Sequence, residues 1–182
     1  MESLQWNEVL ATGIEEIDDQ HKRLLEIINQ LRVAAGQGAR RDASAEALQQ
    51  VLDYTIYHFD YEEKLLEKAG YELLPLHKRT HELFIRRIPD FQKRHAAGED
   101  VLQEVHDMLA RWLVHHIQND DRGYAPTVKA YLKQDAKKSP SRYGQTRPQP
   151  LAEDPPASAP AGKRGAKRSF WNKLADLFSS DD

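Results

Sequence analysis

Between Ile17 and Leu132 the apolar residues recur at helical spacing, in successive stripes separated by glycine-containing breaks. The first stripe runs Ile17, Leu24, Leu25, Ile28, Leu31 and predicts a helix closed by Gly36-Gln-Gly38, because glycine is the usual left-handed terminator. The second reads Leu48, Val51, Thr55, His58, Glu62, Leu65, with Asp42 or Ser44 placed to cap it and Gly70 to end it. The third carries Leu74, His77, His81, Phe84, Ile88 and Phe91. Pro75 suits its first turn, where a missing N–H loses no partner, whereas Pro89 falls inside the pattern and predicts a kink or break near residues 85–89. The fourth reads Leu102, Val105, Leu109, Trp112, His116, and at its start Asp100 and Gln103 have the spacing of a capping box. Residues 1–16 predict a non-helical arm anchored by Trp6, Val9, Leu10 and Ile14, and Tyr124, Val128, Tyr131 and Leu132 a last short helical segment.

Four amphipathic helices joined by short loops predict an all-α, up-down-up-down four-helix bundle over residues 1–134. Beyond Lys133 the composition changes. Residues 135–168 are rich in Pro, Ala, Lys and Arg without apolar periodicity and read as a disordered linker. Within residues 169–180, Phe170, Trp171, Leu174, Leu177 and Phe178 mark one side of a short amphipathic helix, preceded by Lys163, Arg164, Lys167 and Arg168. Such a helix is too short to span a bilayer. Residues 163–180 are therefore expected either to dock on a protein partner or an anionic membrane surface, or to form an inert extension.

Composition narrows the function. The 182 residues carry 26 Lys+Arg against 29 Asp+Glu, a net charge of -3, so there is no basic field of the kind nucleic acid selects. Cysteine is absent, which removes disulfides, thiolate metal sites and a cysteine nucleophile. The first residues show neither the basic nor the apolar region of a secretory signal, and no run is apolar enough to cross a membrane. The expectation is a cytoplasmic protein, membrane-peripheral if its C-terminal segment docks, and a monomer, since a domain of this size can stand alone.

Each apolar stripe is interrupted by residues that can bind metal. His77 and His81, four apart, point along the face a helix buries, and buried imidazoles need partners for their ring nitrogens. His21 falls within the first stripe and His116 within the fourth. His58 and Glu62 would be an ordinary i,i+4 surface pair were Val51 and Leu65 not on the same side. Asp121 follows His116 by five, which one face of a regular α-helix cannot accommodate without a local widening or a helix end. Asp120, four from His116, is the choice of helical geometry alone. His115 faces about 100° from His116, His95 and His106 read as surface residues, and Glu63 as a solvated neighbour of Glu62. The set His21, His58, Glu62, His77, His81, His116 and Asp121 is too large for one zinc, which takes about four ligands. It suits a pair of ions bridged by the two carboxylates with one position left open, and nitrogen and carboxylate donors fit iron.

Trp6 with TGIEEIDDQHK (12–22), HFDYEE (58–63), GY followed by HKRTH (70–81) and WLVHHIQNDDRGY (112–124) together resemble the hemerythrins in their bacterial form. The resemblance implies a non-haem di-iron centre, with an oxo or hydroxo bridge, that binds dioxygen reversibly and is not an enzyme. It also implies His77, His81 and His116 on one iron, His21 and His58 on the other, Glu62 and Asp121 bridging, and the open position on the iron held by His21 and His58. Ile17, Leu24, Leu25, Thr55, Phe59, Trp112 and Ile117 are candidate pocket residues by helical proximity. Two departures stand out: the proline that usually follows Gly-Tyr closely waits until Pro75, and Pro89 is unexpected. The alternatives are an oxygen or redox sensor and a di-iron oxidase or peroxidase. Oxygen-activating bundles use mainly glutamates and Glu-x-x-His pairs, and no histidine here has a glutamate three positions before it.

Overall fold

The computed structural model describes residues 3–36 and 41–138; residues 139–168 of the expected linker, the C-terminal amphipathic segment and Gly38 lie outside the described residues, while residues 135–138, expected to begin the linker, continue the last helix. Those described form an all-α bundle without a strand. The first arm is α1 (Glu15–Gly36) and the second α2 (Arg41–Ala69). The third is broken into α3 (Leu74–Ile85) and α4 (Ile88–Ala96). The fourth runs without interruption through α5 (Leu102–His116), a π-helical turn (Ile117–Asp121) and α6 (Arg122–Lys138). Joined in sequence, the arms make the up-down-up-down four-helix bundle that the stripes predict.

The prolines behave as their missing N–H requires. Pro75 occupies the first turn of α3, and Pro89 the first turn of α4, so the predicted break falls at Arg86–Arg87. Gly70, at φ 69°, ends α2: its N–H bonds the Glu67 carbonyl at 3.1 Å and Tyr71 N–H the Leu66 carbonyl at 3.0 Å, a Schellman closure. Two caps differ from expectation. The second helix already begins at Arg41, so Ser44 lies inside it and is buried. The residue before α5 is Val101, one past the position a capping box needs, and Asp100 offers only a 3.4 Å contact to Leu102 N–H. Val101 is fully buried, and burying it sets the register of the helix start.

The N-terminal arm is held by polar contacts as much as by packing. Asp18, buried in the first turn of α1, accepts from Thr12 N–H (2.8 Å), Thr12 Oγ1 (2.7 Å) and Gly13 N–H (2.9 Å). Gly13 has φ 72°, a left-handed conformation that costs glycine little. Asn29 brackets Leu4, donating to its carbonyl at 2.8 Å and accepting from its N–H at 2.9 Å. Leu10 and Ile14 are buried as expected, but Val9 is 55% exposed and anchors nothing.

The buried apolar residues separate into two clusters. One contains Leu24, Ile28, Phe59, Phe84, Leu113 and Ile117; the other contains Ile14, Ile17, Leu66, Tyr124, Ala125 and Val128. Each arm passes from one cluster to the other through polar residues: His21 between Ile17 and Leu24, His58 and Glu62 between Val51 and Leu66, His77 and His81 before Phe84, His116 and Asp121 between Leu113 and Tyr124. A layer of titratable groups thus crosses the bundle where continuous apolar packing would be the cheaper arrangement.

Candidate metal centre

All of the expected site residues are buried, none more than 5% exposed. Glu62 lies at the middle. Its Oε2 is 3.2 Å from His81 Nε2, 3.3 Å from His77 Nε2 and 3.9 Å from His58 Nε2. Two sets of donor atoms therefore share this carboxylate, each set lying within 4.8 Å: Glu62 with His77, His81 and His116, and Glu62 with His21 and His58. Asp121 faces both. Its Oδ1 is 3.1 Å from His116 Nε2 and its Oδ2 is 3.3 Å from His21 Nε2.

Asp121 reaches the layer because the helix widens. The π-turn over Ile117–Asp121 spreads the backbone so that residues five apart, His116 and Asp121, point the same way. Asp120 stays at the margin and its Oδ2 takes the Nδ1 proton of His116 at 2.7 Å. Pro126, inside α6, removes the N–H that would bond the carbonyl of Arg122, just after the wide turn.

The ring nitrogens facing away from the layer are held by residues whose roles the sequence reading missed. Glu63 Oε1 accepts from His81 Nδ1 at 2.8 Å, so Glu63 is a partly buried partner and not a solvated neighbour. Gln20 Oε1 accepts from His58 Nδ1 at 2.9 Å. Tyr124, fully buried, donates its hydroxyl proton to Glu62 Oε1. Phe59 stacks on His81 with ring centroids 3.7 Å apart, and Trp112 on His116 at 4.3 Å. Position relative to a ligand was a usable signal, since Glu63 adjoins Glu62, Gln20 adjoins His21 and Tyr124 lies three past Asp121. His106 is a further correction. It is buried, with Nδ1 on Asp107 Oδ1 at 2.9 Å, because the buried face of α5 is wide enough to take in Leu102, His106 and Leu113 as well as Val105 and Leu109. His115 is exposed, as its position next to His116 requires.

With Nδ1–H of His81 and His116 directed at the Glu63 and Asp120 carboxylates, the opposite Nε2 atoms are left facing each other as acceptors 2.9 Å apart. Something positive must sit with them. A proton on His81 would serve. Burial disfavours it, but the Glu62 and Glu63 carboxylates outweigh burial and raise the His81 pKa to about 9. The same contacts act on Glu62: burial opposes its charge, but His77 and His81 hold its carboxyl well below the usual range. His58 goes the other way, its pKa lowered well below normal by burial despite the nearby Glu62, and so it stays a neutral donor. Both ring nitrogens of His21, Nε2 of His58 and both oxygens of Asp121 are buried without a hydrogen-bond partner. Unpartnered lone pairs converging from several helices are costly unless a cation satisfies them.

Comparison with known proteins agrees with this geometry. Residues 12–128 match the Hemerythrin HHE cation binding domain. The chain is 45% identical over 141 residues to a bacteriohemerythrin of Stenotrophomonas maltophilia, covering 78% of this chain and 92% of that one. It is 49% identical over 129 residues to a bacteriohemerythrin of Pseudomonas aeruginosa, covering 71% and 84%. A crystal structure of wild-type hemerythrin superposes with a TM-score of 0.65 at 31% identity, covering 69% of this chain and 97% of that chain. The chain belongs to the hemerythrin family.

Proposed function

We propose that this protein binds dioxygen reversibly at a non-haem di-iron centre and serves to carry, store or deliver it. The reading rests on one observation above all: lone pairs of His21, His58 and Asp121 are buried and unpartnered beside two donor sets that share Glu62. These residues fit a pair of cations. His77, His81 and His116 would hold one iron and His21 and His58 the other, with Glu62 and Asp121 placed to serve both. Imidazole and carboxylate donors suit iron. A ferrous pair bound there would supply the two electrons that reversible dioxygen binding requires.

The chain's own residues supply the rest. The apolar clusters on either side of the layer exclude water and external protons, which protects a reversible reaction from irreversible oxidation. Tyr124 fixes the orientation of Glu62, and Phe59 and Trp112 fix the ring planes of His81 and His116. The ligand set is rich in neutral histidine and poor in carboxylate, which favours binding over oxidative chemistry. The family model that matches residues 12–128 is described as cation binding, which agrees with a metal-holding role for these residues.

The test is the visible spectrum of iron-loaded, reduced protein before oxygen, after oxygen and after flushing with inert gas. A charge-transfer band that appears with oxygen and disappears on flushing is expected. A band that decays to a ferric spectrum while a reductant is consumed would make the protein an oxidase. Iron uptake of zero would remove the site.

A further inference from the structure

The two halves of the centre differ in what stands behind their histidines. On one side, His81 and His116 each give Nδ1–H to a carboxylate, Glu63 at 2.8 Å and Asp120 at 2.7 Å. On the other, His58 gives Nδ1–H to the neutral amide oxygen of Gln20 at 2.9 Å, and His21 Nδ1 is buried with no hydrogen-bond partner. A carboxylate behind an imidazole raises the basicity of its opposite nitrogen and adds negative charge close to the cation; an amide oxygen does little of either. Lys78 Nζ, 3.6 Å from Glu63 Oε2, offsets part of that charge, but it is well exposed and screened. The half with carboxylate support also has one more histidine.

We propose that the centre fills in a fixed order, the His77–His81–His116 half before the His21–His58 half, and that Glu63 and Asp120 are the positioning residues that set it. The inference rests on the di-iron reading above. Its consequence is a protein whose second ion, on the side with the open position, is the exchangeable one. A chelator removes that ion first, leaving a one-metal form that retains the three-histidine half.

The experiment is an anaerobic titration of the full chain with Fe(II), read by calorimetry and by metal content after gel filtration, and repeated with Co(II) read by its visible absorption. Two steps are expected, separated by about tenfold or more in affinity. His77→Ala should abolish the tighter step and His58→Ala the weaker one. Glu63→Gln with Asp120→Asn keeps an acceptor oxygen at each position and both sites are partly exposed, so folding should survive; circular dichroism checks this. The tighter step should weaken by about 10–100-fold, the usual effect of such outer partners, while the weaker step moves by less than about threefold. Gln20→Glu should strengthen the weaker step and narrow the gap. Uptake of two ions in one unresolved step would overturn the order, and equal weakening of both steps in the double variant would overturn the role of Glu63 and Asp120 in setting it; either result leaves a two-metal centre. No uptake of either ion would overturn the di-iron reading itself, and the order with it.

Discussion

Tyr124 on α6 donates its hydroxyl proton to Glu62 on α2, joining two arms of the bundle through a carboxylate that has no exposure to water. Burial first, then the charges of Glu62 and Asp121, push the Tyr124 pKa well above its ordinary value, so it remains a donor at any working pH. Tyr124→Phe keeps the ring and removes the bond. Because the acceptor is a buried charge, metal-free protein should lose about 1.5–3 kcal/mol of stability in urea unfolding. An unchanged midpoint would mean that Glu62 is satisfied without Tyr124.

Asp18 holds the N-terminal arm through Thr12 and Gly13. Asp18→Ala leaves these donors facing a buried gap and should cost about 3 kcal/mol, within the range for hydrogen bonds to charged groups. Asp18 contributes no atom to the donor sets, so the folded variant should still bind the full complement of iron. Unfolding by urea and metal analysis of the same sample separate the two effects. Loss of metal without loss of stability would contradict a purely structural role.

Removing metal should lower stability substantially, because the native state then keeps converging lone pairs and the unfolded state has none. Ligand linkage gives about 4 kcal/mol for free metal at a thousandfold excess over its dissociation constant. In a domain of this size that is a drop in melting temperature on the order of 10 °C. Calorimetric melting of the protein before and after reduction and chelation would measure it, and coincident melting curves would contradict the site.

The metal-free protein should respond to pH through His81. Its folded pKa of about 9 lies above the unfolded value, so its contribution to stability is full below about pH 6.5 and is lost as the pH rises through about 9. Metal binding must displace that proton, so loading at neutral pH should release it to solvent. Urea unfolding of metal-free protein at pH 6 and pH 9, with a pH-indicator dye during loading, tests both statements. A metal-free protein that gains stability across this range, or loading without acid release, would contradict the arrangement of His81 between Glu62 and Glu63.

Phe59 is buried with its ring flat against His81 and close to Trp112 and Phe84. Phe59→Ala should cost about 3–5 kcal/mol, because the helices around it cannot close on the space. His81 would also lose the surface that fixes its plane, so metal affinity should fall along with stability. Unfolding measured with and without metal distinguishes the two contributions.

Much of this was written in the spacing of residues along single helices. Side chains four apart share a face whatever lies opposite, so His58 with Glu62 and His77 with His81 were legible as pairs, as were the apolar stripes around them. The separation of five between His116 and Asp121 likewise required a widened turn or a helix end, and the π-turn over Ile117–Asp121 is the widening. Pro75 and Pro89 were equally readable, since a missing N–H loses no partner in a first turn, and each lies in the first turn of a helix. What the tertiary structure alone decided is which side chain meets which across the arms. Glu63 looked solvated and Tyr124 only a member of a last helical segment until the placement of the helices set them against His81 and Glu62. The same holds for His106, which only the width of the buried face of α5 took inside, and for Val9, which it left outside. Helical periodicity is a local property carried by the backbone, whereas the partner of a polar group depends on the relative placement of elements far apart in the chain, which no spacing within one helix encodes.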